Sequence, residues 1–290
     1  MIALVTDSTC DLPTEILAKY EIEVVPLTVQ VGEDSYFDKV DLTADRFIEL
    51  METSRQLPTT SQPAVGAFLQ KYQELAAQYE QVISLHISAA LSGTFESAKL
   101  AASQVSDLEI SVIDSTSTST GLGFLVVLAA KLIKQGKKLT EIEKEVIAAR
   151  QNLQIYFTVN ELTYLEKGGR IGKAQAFLGT IFNFNPILEL AKESGKILPK
   201  DKVRGYKKTN LKLVELVKDA VSEQSRVNLA CIYAKKSDNY QQFKELLTAE
   251  LNNQEQLTYK LFENKIGNVL TSHTGPLVYG IVIYKGELLD

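Results

Sequence analysis

The chain has 290 residues, with 31 Lys+Arg against 36 Asp+Glu, a formal net charge of −5 and 45% hydrophobic residues. These proportions exclude disorder, collagen and disulfide-rich miniproteins, and the length favours two packed units over one core. The mild acidic excess argues against a general nucleic-acid binder, which needs a basic surface to neutralise phosphate.

The charge is uneven. Between Glu166 and Lys208 ten Lys/Arg face four acids, giving +6 and leaving −11 for the remainder. Such a run is either a solvated face or a steering surface for an anionic ligand or acidic partner. The start, MIALVTDST, lacks a basic n-region, and the longest apolar run, Leu122 to Ala130, is too short to span a bilayer. Two cysteines, Cys10 and Cys231, and two isolated histidines, His86 and His273, form neither a disulfide framework nor a zinc site. A cytoplasmic, metal-free protein is expected.

In chain order, Ile2–Thr6 reads as a strand and Val24–Val31 as an extended segment. Helices are predicted at Asp41–Met51 and Pro63–Tyr79, the latter with Val65, Phe68, Leu69 and Tyr72 on one buried face. A strand at Gln81–Ile87 and a helix from Thr94 to Val105 follow, then a strand at Ile110–Ile113 and a helix at Thr120–Gln135. Thr140–Leu153 is a further helix, opened by a capping box at Thr140–Glu143. A strand at Ile155–Val159 starts a second unit, so the predicted division is 1–154 and 155–290. Helices at Lys207–Ser222 and Asn239–Asn252 and an apolar strand at Leu277–Tyr284 complete an α/β fold, its first half a mainly parallel, Rossmann-like sheet.

Several first-half strands end in hydroxyl-bearing residues, where open α/β sheets bind ligands. Thr59-Thr60-Ser61-Gln62-Pro63 and Ser92-Gly93-Thr94 each precede a helix, and two helix starts with free amides suit one small anion. No Gly-Lys-Ser/Thr follows, which disfavours nucleotide phosphate; a carboxylate fits equally well. Ser92 lacks a nucleophile elbow. A hydrolase or phosphotransferase using Ser92, His273 and Asp7 or Asp114 is the enzymatic alternative. Downstream, Phe177, Leu178, Ile181 and Phe182 form an apolar stripe at helical spacing, with Ile187 close behind. The preceding Gly168-Gly169-Arg170-Ile171-Gly172-Lys173 loop would suit a ligand with a charged head and an apolar tail.

With these segments the sequence resembles the DegV family of bacterial fatty-acid-binding proteins over essentially its whole length. The resemblance rests on motifs in order: Val5–Pro13, Thr60–Pro63, Leu91–Ala98, Val112–Ser115, Leu165–Gly172, Lys202–Gly205 and His273–Pro276. It implies a two-domain α/β carrier of phospholipid metabolism that is not itself an enzyme. Such a carrier needs no cofactor, binds one long-chain fatty acid and hands it to a separate fatty-acid kinase for acyl-phosphate formation. It implies a carboxylate held by Thr60 and Ser92, with Ser61, Gly93, Thr94 and His273 around it, and an acyl tunnel along Phe177, Leu178, Ile181, Phe182 and Ile187. Arg170, Lys173 and Arg204 match basic positions suited to docking the kinase. Nucleic acid and a transmembrane segment are not expected, and membrane contact is at most transient. Leu277-Val278 replaces the family's Gly-Ala, which narrows the tunnel or shifts the histidine. Some fourteen buried methylenes would contribute on the order of 11 kcal/mol before ordering costs. The carboxylate cannot be buried unpaired, and a clamp of neutral donors would leave it free to react.

Overall fold

The computed structural model describes residues 1–54, 56–179 and 184–288. In chain order the elements are β1 Ile2–Asp7, α1 Thr14–Lys19, β2 Ile22–Val25, β3 Thr28–Val31, β4 Asp34–Phe37, α2 Ala44–Thr53, β5 Thr59–Ser61 and α3 Val65–Ala76. Next come β6 Gln81–His86, α4 Thr94–Ala102, β7 Glu109–Asp114, α5 Ser119–Lys134, α6 Leu139–Ala149, β8 Leu153–Thr158 and α7 Thr163–Lys167. The chain continues through β9 Asn185–Leu190, β10 Ile197–Val203, α8 Tyr206–Val221, β11 Arg226–Tyr233, α9 Asp238–Asn252, β12 Thr258–Lys265, α10 Asn268–Thr274 and β13 Tyr279–Lys285.

The first sheet has the order β2-β1-β6-β7, and all its pairs are parallel. Its two central strands, β1 and β6, are buried on both faces, as parallel strands covered by helices must be. Ala3 and Val5 of β1 pack with Phe68 and Tyr72 of α3, whereas Leu4 between them joins the core that includes α5 and α6. The second sheet, β10-β9-β8-β13-β11-β12, is antiparallel except for β11 with β12. Its faces alternate with period two. Leu153, Ile155 and Phe157 of β8 join the central core, while Tyr156 joins Leu213, Val217 and Phe243 beneath α8 and α9. The fold is the α/β class expected, a parallel sheet followed by a second, mixed one.

Three differences have local causes. The extended segment at 24–31 is two strands, and β3 pairs with β4 and β5 in a small antiparallel sheet not foreseen from the sequence. The division expected at 154/155 falls inside β8, which begins at Leu153. Helix α6 starts at Leu139, so Thr140 is not its cap; instead the Glu141 carboxylate accepts the Lys138 N–H at 2.9 Å.

Candidate functional site

A cavity opens between the inner face of the second sheet and the loops at the carboxyl ends of the first. Its empty space, open mouth included, is about 790 Å³. Most of its wall is apolar: Ile155 and Phe157 from β8, Leu190 from β9, Ile232 from β11, and Ile87 and Val278 from strand-flanking loops. One wall is polar, with Thr60, Ser92, Arg170 and His273 among the lining residues. A neighbouring cleft shares Thr60, Arg170 and His273 and adds Lys167 and Tyr164, so the shared residues stand between the two spaces.

Thr60 reaches the cavity from β5, paired in register with Val29. Its Oγ1 lies 2.7 Å from Nε2 of His273, which is presented near the end of α10. That helix is anchored by two buried carboxylates: Asp11 accepts the Gly267 N–H at 2.9 Å and Asp38 accepts the Asn268 N–H at 3.1 Å. Nδ1 of His273 is buried and has no partner among the described residues. Burial, reinforced by the charge of Arg170, lowers the His273 pKa to about 4, so the imidazole is neutral at pH 7. Arg170 donates from Nε to Leu91 O at 3.0 Å and from Nη1 to Gly168 O at 2.6 Å. A Cβ at Gly168 would collide with His273 Nδ1 and lie 2.9 Å from the Tyr164 carbonyl oxygen.

Ser92 stands just before α4, with its Oγ 2.9 Å from Thr94 Oγ1 and 3.4 Å from the Thr94 N–H. Thr94 is buried and holds Ser92 in place. Gly93 does not line the cavity; a Cβ there would strike the Gln62 amide, whose Nε2 donates to Ser97 Oγ at 2.8 Å. Ser61 is exposed and absent from the wall, because neighbouring strand residues point to opposite faces. The expectation of two helix starts flanking the anion also changes. Thr60 belongs to a strand, and α3 begins at Val65, beyond Pro63.

The expected tunnel is redrawn. Ile187 is fully buried, but on the far face of β9 against α8 and α9. Its neighbours Leu188 and Leu190 face the central core instead. Phe177 and Leu178 follow a 3₁₀ turn and pack against the central core without lining the cavity. Ile181 and Phe182 lie outside the described residues. Val278 does line the cavity and Leu277 is exposed, so only the second of the two departures acts on the wall.

Of the three cations assigned to docking, Lys173 and Arg204 are exposed, whereas Arg170 is half-buried in the cavity wall. The polar wall is therefore not made of neutral groups alone. Other lining residues escaped the sequence reading, among them Thr118, Ser119 and Thr274. Thr118 and Ser119 directly follow the Asp114-Ser115-Thr116 strand end, so the hydroxyl-rich strand end was the available signal.

No hydrolytic constellation forms around Ser92. Its hydroxyl meets Thr94, and His273 has no carboxylate partner among the described residues. Asp7 is committed elsewhere: it accepts from Thr9 N at 3.0 Å, Ile87 N at 2.9 Å and His86 Nδ1 at 3.1 Å. His86 in turn contacts Ser84 Oγ at 2.7 Å, giving a triad-like chain whose members are all fully buried. Asp114 Oδ1 accepts the Ala89 and Thr116 N–H groups at 3.2 and 2.8 Å, so it too is occupied by backbone. A nucleophile sealed from solvent has no substrate to attack.

Fold and site together define an α/β protein with two main sheets and a small third one, and an apolar cavity bordered on one side by a small polar cluster. A family model described as "Uncharacterised protein, DegV family" matches residues 1–286. Protein DegV of Bacillus subtilis is 34% identical over 281 residues, 97% of this chain and 98% of that protein. The chain belongs to the DegV family. A solved structure of a DegV family protein from Thermus thermophilus, described as fatty-acid binding, superposes with a TM-score of 0.90 at 34% identity, covering 98% of this chain and 99% of that one. Bacillus subtilis DegV, described as a fatty acid binding protein, gives 0.88 at 33% identity over 98% and 99%. A stearic-acid-binding protein from Eubacterium ventriosum gives 0.87 at 26% over 98% of each chain. No described helix is long and apolar enough to cross a membrane.

Proposed function

We propose that this protein binds one long-chain fatty acid and presents its carboxylate to a separate fatty-acid kinase, without catalysing a reaction itself. The observation that carries the reading is the Thr60–His273 pair at the polar wall of an otherwise apolar cavity. A neutral imidazole that donates from Nε2 to Thr60 Oγ1 leaves the threonine proton free for a carboxylate oxygen. Ser92, seated by Thr94, supplies the second hydroxyl, and Arg170 supplies positive charge beside it. A carboxylate placed there is hydrogen-bonded rather than stripped of partners, while the chain gains roughly 0.8 kcal/mol per buried methylene.

The head group sits where the cavity meets the outer cleft, so its oxygens are the part of the ligand that a kinase can reach. Exposed Lys173 and Arg204 lie in the +6 stretch and would dock an acidic kinase surface or its ATP phosphates. The enzymatic alternative lacks support, because neither Asp7 nor Asp114 serves His273.

Denaturing extraction of protein produced in bacteria, followed by mass spectrometry, should release near-stoichiometric fatty acid. Adding the loaded protein to a fatty-acid kinase with ATP should form acyl phosphate, with a rate that falls as salt rises. Protein that carries no lipid and takes up none would overturn the binding role. Loaded protein that supports no acyl-phosphate formation would overturn the presentation role.

A further inference from the structure

Beyond the apolar cavity lies a second, smaller chamber that carries polar groups without partners. It is lined by Thr116, Ser117, Arg150, Leu153, Ile155, Leu190 and Lys192 and leaves a void of about 10 Å³, room for about one water-sized group. Ile155 and Leu190 line both spaces, so their side chains are the partition. The strand makes the relation linear. Phe157, Ile155 and Leu153 share one face of β8, about 6.8 Å apart at each step; the first borders the main cavity, the second both, the third only the chamber. Ile155 also pairs in register with Leu190, which places both parts of the partition at one level.

Two groups in this chamber are unsatisfied. Ser117 is 2% exposed and its Oγ has no hydrogen-bond partner among the described residues. Nε of Arg150 is likewise buried without an acceptor. The backbone of Ser117 is held in place, because its N–H donates to Ser115 Oγ at 3.0 Å and its carbonyl accepts the Ser88 N–H at 2.8 Å. A Cβ on Gly121 would collide with Ser117 Oγ and lie 2.8 Å from Ile155 Cδ1, so the hydroxyl and the tip of the partition meet over one helix position. Lys192 donates from Nζ to Gln151 O at 3.2 Å. Asp114 acts electrostatically on Arg150, but its Oδ1 already accepts two N–H groups. The chamber thus offers a hydroxyl and a guanidinium N–H, with net positive charge at its rim.

We propose that this chamber receives the far end of the acyl chain when that end carries oxygen, so that the preferred ligands include fatty acids with a terminal hydroxyl or carboxylate. The inference rests on the fatty-acid reading and deepens it. A chain that passes between Ile155 and Leu190 brings its terminal oxygen to Ser117 Oγ and Arg150 Nε, giving both the partner they lack. An unsubstituted methyl end gains nothing there and leaves both groups unpaired. The alternative, a wholly apolar blind end, makes the opposite prediction: a terminal hydroxyl would bind more weakly, because it would be stripped of water without compensation.

The test measures affinities of the delipidated full chain for palmitate, ω-hydroxypalmitate and the α,ω-dicarboxylate of the same length, then repeats the set with shorter and longer acids. At the length that reaches the chamber, an oxygenated acid should bind about tenfold more tightly than its plain counterpart, the effect of one hydrogen bond to a charged donor. Ser117→Ala and Arg150→Met should each reduce that ratio. Preference for the hydroxy acid alone or for the dicarboxylate alone identifies which oxygen the chamber takes. A ratio at or below one at every length in the unaltered protein overturns the proposal while plain acids still bind; this outcome needs no variant to fold. If palmitate itself fails to bind at any length, the fatty-acid reading fails first.

Discussion

Thr60 Oγ1 and His273 Nε2 lie 2.7 Å apart although 213 residues separate them in the chain. One comes from a three-residue strand of a small antiparallel sheet and the other from a helix anchored by Asp11 and Asp38. The contact therefore reports the docking of both elements, and it determines which hydrogens face the cavity.

Removing the hydroxyls tests the head-group clamp directly. Thr60→Val with Ser92→Ala deletes two donors but keeps the volume at position 60. Retention of fatty acid should weaken by about a hundredfold or more, since each of the two hydrogen bonds to a charged group contributes about 1.5–3 kcal/mol and about 1.4 kcal/mol is tenfold. Equilibrium titration with a fluorescent fatty acid provides the measurement. Unchanged affinity would remove both residues from the clamp.

The lowered pKa of His273 gives a pH signature. The folded value is about 4, whereas the unfolded value is the ordinary one near 6.5. Between the two, the unfolded chain binds the proton and the folded chain does not, so this contribution is full above about pH 6.5 and lost as pH falls towards 4. The stability difference between the native protein and His273→Gln should shrink by up to about 3 kcal/mol across that window, as read by denaturant unfolding. Loading with fatty acid should raise the His273 pKa, because a carboxylate beside the ring favours the imidazolium. Histidine NMR titration with and without ligand follows that shift.

Gly168→Ala should act on the ligand through His273. The backbone at Gly168 is ordinary, with φ −72°, so the penalty is steric and falls on the ring whose Nδ1 the new methyl would meet. Affinity should fall about as far as for Thr60→Val, while thermal stability changes by only about 1 kcal/mol, typical of a single substitution. Loss of folding without selective loss of binding would contradict this role.

Ile187 and Val278 separate core from wall. Ile187→Ala, on the far face of β9, should cost about 2–5 kcal/mol of stability and leave the preference for chain length unaltered. Val278→Ala enlarges the cavity and should shift preference towards bulkier or branched chains. Competition among fatty acids of graded length and branching reads both.

Much of this molecule was legible in the sequence because its determinants are local. Period-two and helical spacing located the long helices, the strands of the first half, β8 and β13, whereas β9 to β12 received no bounds; the motif order around Thr60, Ser92 and His273 pointed to residues that the structure brings to one cavity. Short elements were harder: three residues at Thr59–Ser61 carry too little pattern to reveal a strand, so Thr60 was read as a helix start. The tunnel was misplaced for a related reason. Ile187 and Leu188 are equally apolar, and only strand register assigns one to the α8/α9 side and the other to the central core. Arg170 was expected on the surface because a cation in a basic stretch reads as solvated; its two carbonyl partners, one of them 79 residues away, place it in the wall. The sequence by itself determined the α/β class, the family motifs and the chemical types at the polar wall. Tertiary structure alone decided which apolar residues line the cavity, that His273 is neutral, and that the far end of the cavity has polar neighbours. These properties depend on burial and on contacts between distant segments, and neither exists until the two sheets close on each other.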